Sequence, residues 1–138
     1  ISAFFKISGN LERIGDHAMN ISEYTKLMEE KKIAFSEETK NEIRQMQSVS
    51  QEAMQLIYPL ESITTARLEK IAQMEQKIDD MTAAMRQSQI QRMHAGADES
   101  AVIYSELLTD FERIGDHILN IGEAMTQIST PEYSAVEE

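Results

Sequence analysis

Two stretches of this chain, a hundred residues apart, carry the same apolar spacing, and that spacing dictates the architecture. Phe4, Ile7, Leu11, Ile14, Ala18, Ile21, Thr25 and Met28 fall at alternating intervals of three and four. Tyr104, Leu107, Phe111, Ile114, Ile118, Ile121, Met125 and Ile128 do the same. Such intervals align side chains in one stripe along an α-helix, and stripes of this length pack long helices side by side.

The segments between them read as helices too. Ser36 is an N-cap candidate, and Glu37 and Glu38 behind it suit the positive end of a helix dipole. The apolar positions of that helix are Ile43, Met46, Val49, Ala53, Leu56 and Ile57, and Pro59 is expected to end it. A third helix is predicted from about Leu60 to His94, with Ile71, Met74, Ile78, Met81 and Met85 on its seam. Its methionines are adaptable core rather than a binding surface. Gly96 supplies a stop and Asp98 a new N-cap. The last helix is expected to end near Ser129-Thr130-Pro131. The prediction is therefore an all-α fold, an antiparallel bundle of about four long helices over residues 1–129, with an acidic disordered tail over 130–138.

Charge narrows the function. Asp and Glu number 24 against 13 Lys and Arg, a formal charge of -11. Nucleic acid and anionic membrane surfaces attract basic patches, so neither is expected as a partner. Cations and basic protein surfaces suit this chain better. With no cysteine, disulfides, thiolate metal sites and cysteine nucleophiles are excluded. No apolar run approaches a membrane span and no signal peptide is visible, so the segment is expected to be soluble and intracellular. It begins at Ile1 in mid-helix without an initiator Met, which reads as a piece of a longer chain. No serine–histidine–acid arrangement, phosphate loop or nucleotide fingerprint suggests catalysis.

The two seams carry a second repeat. Residues 11–23 read LERIGDHAMNISE and residues 111–123 read FERIGDHILNIGE. With Leu11 and Phe111 at heptad position a, Glu12 and Glu112 fall at b and Asp16 and Asp116 at f, away from the seam. Asn20 and Glu23, like Asn120 and Glu123, continue that outer stripe. A metal centre buried inside the bundle is therefore not expected. For one Glu-x-x-x-Asp, plain solvation is the usual explanation. Here, like charges four apart cost about 0.2–0.5 kcal/mol at two corresponding places. Mid-helix Gly15 and Gly115 cost about 1 kcal/mol each relative to Ala. A bundle needs only its seam repeated, so a repeated outer face asks for another reason.

Two carboxylates one turn apart suit a hard or borderline cation: Mg, Ca, Mn, Fe or Zn. The third helix offers Glu75 and Asp79 at the same spacing, with Asp80 beside them. His17 and His117 are candidate ligands or hydrogen-bond partners around a metal, and packing at a helix interface explains them equally well. Arg13 and Arg113 either pair with the nearby acids or hold an anion such as phosphate.

At these residues the chain resembles the PhoU family, whose mark is a duplicated three-helix unit with Glu/Asp-x-x-x-Asp motifs on the bundle surface. The resemblance covers roughly residues 1–128. It implies multinuclear metal sites, with iron or zinc foremost, and a role in regulating phosphate uptake. By position it implies Glu12 and Asp16 in one site, and Glu112 and Asp116 with Glu75 and Asp79 in the other. Asn20, Asn120, Glu23, Glu123, the two histidines and the two arginines would surround them. Two complete units would have a further helix before Ile1 and another after Ile128. The first site is thus expected to be incomplete or completed by another chain, which implies a homodimer. The segment RMHAGADESAVIYSELLTDFERIGDHILNIGEA is more similar to the soluble C-terminal domain of bacterial sodium-phosphate cotransporters than to free-standing PhoU. That likeness implies a domain on the cytoplasmic side of the inner membrane, joined to membrane helices upstream and partnering the transporter or other uptake machinery.

Overall fold

The computed structural model describes residues 2–93 and 98–128. Four helices account for most of them: α1 (Ala3–Lys31), α2 (Glu37–Leu56), α3 (Thr65–Arg92) and α4 (Glu99–Met125). Each begins at a side-chain cap. Ser2, Ser36, Thr64 and Asp98 accept from the backbone N–H of Phe5, Thr39, Arg67 and Ala101, satisfying a donor that a helix start leaves free. α1 ends at Lys32 in the left-handed conformation (φ 55°), and the Ile33 N–H closes back on the Met28 carbonyl.

The expected helix boundaries hold at Ser36, Pro59 and Asp98. The third helix starts five residues later than predicted, at Thr65, because Thr64 provides the cap and residues 57–64 form an irregular link. α4 ends at Met125, short of the predicted stop. Gly96, His94, Ser129, Thr130, Pro131 and the predicted tail lie outside the described residues.

α4 is the centre of the bundle. It packs antiparallel to α1 on one side, shown by contacts from Asn10 to His117 and from His17 to Asp110. It packs antiparallel to α3 on another, where Gln89 reaches the Ala101 carbonyl and Arg86 reaches Ser105 and Thr109. α2 runs against α3 and touches α4. The core joins Ile7 and Ile14 of α1, Met46, Val49 and Ala53 of α2, Ile71, Ile78 and Met85 of α3, and the Tyr104–Met125 seam of α4.

The α1 seam is half right. Ile7, Ile14 and Met28 are buried and Ile21 half-buried, but Phe4, Leu11, Ala18 and Thr25 are exposed, Phe4 at 59%. Among the described residues the backbone of α1 comes close to α4 alone, and α2 lies across open grooves from it. Only one edge of its stripe therefore finds a partner. Periodicity identifies residues that share a face; it does not say what covers the face.

Candidate metal centre

The site forms where α3 and α4 come closest. A Cβ on Gly115 would meet the Ile78 Cδ1 at 3.2 Å and Cγ2 at 3.3 Å, and one on Gly122 would meet the Ile71 Cδ1 at 3.0 Å. Two glycines spaced two turns apart thus let two β-branched residues of α3 press onto the α4 backbone. Ile78 is flanked on α3 by Glu75 and Asp79, and Gly115 is followed by Asp116. The close approach therefore carries three carboxylates together.

Each of Glu75, Asp79 and Asp116 offers a ligand oxygen within 4.8 Å of the others. Glu75 and Asp79 are half-buried and Asp116 is exposed. The Glu75 carboxyl is pushed up to about 7, first by burial, then by its hydrogen bond to Asp79 and repulsion from Asp79 and Asp116. Asp116 is also raised, by burial and then by Asp79, while the hydrogen bond from Glu75 and the charges of His117 and Arg113 pull it down. Three acids crowded so that one keeps its proton near neutrality are a fit for a hard divalent or trivalent cation. The cation would replace the proton and relieve the repulsion.

The other predicted residues divide. Glu112 is half-buried one turn before Asp116, outside the group of three. Asp80 turns away and accepts from Gln76 at 3.0 Å. Glu12 and Asp16 are exposed on α1, where Gly15 has no heavy atom within 4 Å of the Cβ it would carry. The first copy of the motif thus lacks the helix that presses on the second. Glu75, Asp79 and Asp116 are the group of three acids found among the described residues.

The histidines take the packing role. Their rings stack between α1 and α4, centroids 5.7 Å apart at 21°. His17 Nδ1 lies 2.8 Å from Asp110 Oδ1, and His117 Nδ1 lies 2.9 Å from Asn10 Oδ1. Asn20 donates to the same Asp110 oxygen at 3.3 Å and Asn120 to the same Asn10 oxygen at 3.2 Å. Both asparagines stay exposed, as an outer stripe requires, while their amides bridge to the α1–α4 interface. Burial lowers the His117 pKa, and the charges of His17 and Arg13 add to the effect. Glu23 and Glu123 stay exposed. Arg13 and Arg113 make no ion pair among the described residues, contrary to the local pairing considered for them.

Asn10 and Asp110 were missed, although they too stand a hundred residues apart and extend the repeat by one residue before Leu11 and Phe111. A second polar network escaped notice entirely: Arg92 and the Tyr104 hydroxyl both donate to Glu42 Oε1 at 2.7 Å, tying α3 and α4 to α2.

The profile of the family described as the PhoU domain matches residues 1–25 and 37–125. The chain belongs to the PhoU domain family. Its four-helix, strand-free architecture over the described residues is that of a PhoU-like bundle. Among curated proteins it is similar to the phosphate-specific transport system accessory protein PhoU homolog 1 of Thermotoga maritima. The two are 32% identical over 134 residues, 94% of this chain and 56% of the relative. The chain thus spans about half the length of the curated relative it matches. No solved structure gives a significant match. No helix among the described residues is long and apolar enough to cross a membrane.

Proposed function

We propose that this PhoU domain is a metal-binding regulatory module of phosphate uptake, working by interaction rather than catalysis. The observation that carries the reading is the convergence of Glu75, Asp79 and Asp116 at the glycine-mediated contact of α3 with α4. A cation there would bridge the two helices, so its loading would set how firmly α3 is held and what surface the bundle presents to a partner. The family resemblance puts iron or zinc foremost, while an all-oxygen donor set also suits manganese, magnesium and calcium. The likeness of the C-terminal segment to sodium-phosphate cotransporter domains favours attachment to such a transporter on the cytoplasmic side of the inner membrane.

The second reading is a free-standing regulator of phosphate-uptake signalling, and the name of the Thermotoga relative, an accessory protein, favours it. For the open face of α1, which carries Glu12, Gly15 and Asp16, the proposed cover is a second copy of the chain. A purely structural dimerisation module is the remaining alternative.

Phosphate uptake in cells carrying Asp116→Asn in the chromosomal gene tests the regulatory claim. Uptake should escape its normal repression at high phosphate; unchanged uptake and unchanged repression would sink the reading. Membrane fractionation of the native polypeptide separates the two forms, since the cotransporter domain sediments with the membrane and the free regulator does not.

A further inference from the structure

The antiparallel α1–α4 pair is built from corresponding residues, so its two ends should match. They do not. At one end a cleft of about 560 Å³ opens beside the N-terminal half of α1 and the C-terminal turns of α4. Lys6 and Arg13 face it from α1, and Asn120, Glu123 and Gln127 from α4. A hundred residues on, the position of Lys6 holds Glu106, that of Asn10 holds Asp110, and that of Gln127 is held by Leu27.

The corresponding end is acidic and carries larger side chains at two positions. Tyr24 stands there where the cleft has Ala124, and Thr109 where it has Gly9. The Tyr24 hydroxyl is held above its usual pKa by burial and then by the negative charges of Glu106, Asp110 and Glu23. In the cleft, by contrast, Gly9 has no heavy atom within 4 Å of the Cβ it would carry. Two cations face one acid in the cleft, where the other end sets Glu23, Glu106 and Asp110 against Arg113, with Arg86 bonded to Ser105 and Thr109 beside them. Neither Lys6 nor Arg13 makes an ion pair among the described residues. In a chain with 24 acidic and 13 basic residues, the repeat has been broken at one end in a single direction, toward space and positive charge.

We propose that this cleft binds a phosphate group, with Lys6 and Arg13 neutralising it and the side-chain amides of Gln127 and Asn120 donating hydrogen bonds at its edge. Arg presents a planar fork of donors to an oxyanion and Lys a point charge, a pairing that suits a tetrahedral dianion. The volume exceeds what inorganic phosphate alone needs, and exposed Phe5 on the rim offers an aromatic face to an attached organic group. The shared chemistry is the phosphate; its source is free phosphate or a phosphate monoester. The inference rests on the cleft and stands whether or not the carboxylate triad holds metal.

The test is calorimetric titration of the 138-residue chain, stripped of metal and kept in chelator at fixed ionic strength. Inorganic phosphate and AMP are the ligands, and chloride is the control. Saturable binding of phosphate, of AMP, or of both supports the proposal, and which one binds more tightly names the source. Lys6→Glu and Arg13→Gln should each weaken it about tenfold or more, the worth of one charge-assisted hydrogen bond. Gly9→Thr with Ala124→Tyr, which copies the larger side chains of the other end, should abolish it, and Asp116→Asn should leave it unchanged. No saturable binding of either ligand, or binding indifferent to Lys6→Glu and Arg13→Gln in variants with unaltered helical circular dichroism, overturns the proposal.

Discussion

The same substitution in the two copies of ERIGDH should have different consequences. Gly15→Ala adds a methyl where nothing lies within 4 Å, so only helix propensity acts. The gain is about 0.5–1 kcal/mol. Gly115→Ala earns the same propensity but drives its Cβ to 3.2–3.3 Å from Ile78, which is fully buried and cannot swing aside. Overpacking of a core contact costs about 1–3 kcal/mol, so the net effect is a change from near zero to a loss of about 2 kcal/mol. The two variants should differ by about 1–3 kcal/mol. For a domain of this size each kcal/mol moves the melting temperature by about 3–5 °C. Thermal unfolding followed by circular dichroism, in chelator and at concentrations where sedimentation shows a monomer, should place Gly15→Ala above the parent and Gly115→Ala at or below it. Equal shifts in the two variants would refute the claim that α3 covers one motif while the other lies open. Since Ile78 sits between Glu75 and Asp79, Gly115→Ala should also weaken metal retention.

The triad makes the metal-free protein pH-dependent. Glu75 has a folded pKa near 7 against an ordinary 4.5, so between those values the native state holds a proton that the unfolded chain has released. Stability from this group is greatest below about pH 4.5 and falls as pH rises through 7. Urea midpoints at pH 5.5 and 7.5 should show the decline, and Glu75→Gln should flatten it and raise stability at pH 7.5; an identical slope in that variant would contradict the assignment. His17→Ala leaves the carboxylate of Asp110, only 6% exposed, with Asn20 as its remaining side-chain partner. The loss should be about 1–3 kcal/mol by chemical denaturation. A cost under about 0.5 kcal/mol would show that the stacked histidines do not secure the α1–α4 contact.

Much of the fold was legible because helices announce themselves locally. Ser36 and Asp98 cap the helices that their sequence surroundings predict, and Pro59 follows the end of α2 closely. Thr64 was overlooked in a stretch that looked helical from Leu60. The open edge of α1 could not be read, since Phe4 and Leu11 have the spacing of core residues and lack only a neighbour. The glycines show the same limit. Gly115 lies at a close approach of α3, but identical sequence around Gly15 meets empty space.

The site followed the same pattern. Glu75, Asp79 and Asp116 stood among the candidates that spacing and resemblance offered, while the placing of Glu112 outside their group depends on side-chain direction. The histidine stack and the Glu42–Arg92–Tyr104 network join residues 50 to 107 positions apart, and no local signal marks them. One signal was available and unused, the Asn10 and Asp110 pair at the same hundred-residue offset as the motif.

The central claim, that the close contact of α3 with α4 makes a metal site, is tested most directly by elemental mass spectrometry. The tag-free chain would be incubated with iron, zinc or manganese and then desalted. One or more ions should remain per chain, lost in Asp116→Asn and in Glu75→Gln with Asp79→Asn, and retained in Asp16→Asn. No retained metal under any of these conditions, or full retention in Asp116→Asn, would contradict the account and leave the repeated carboxylates as a solvated face.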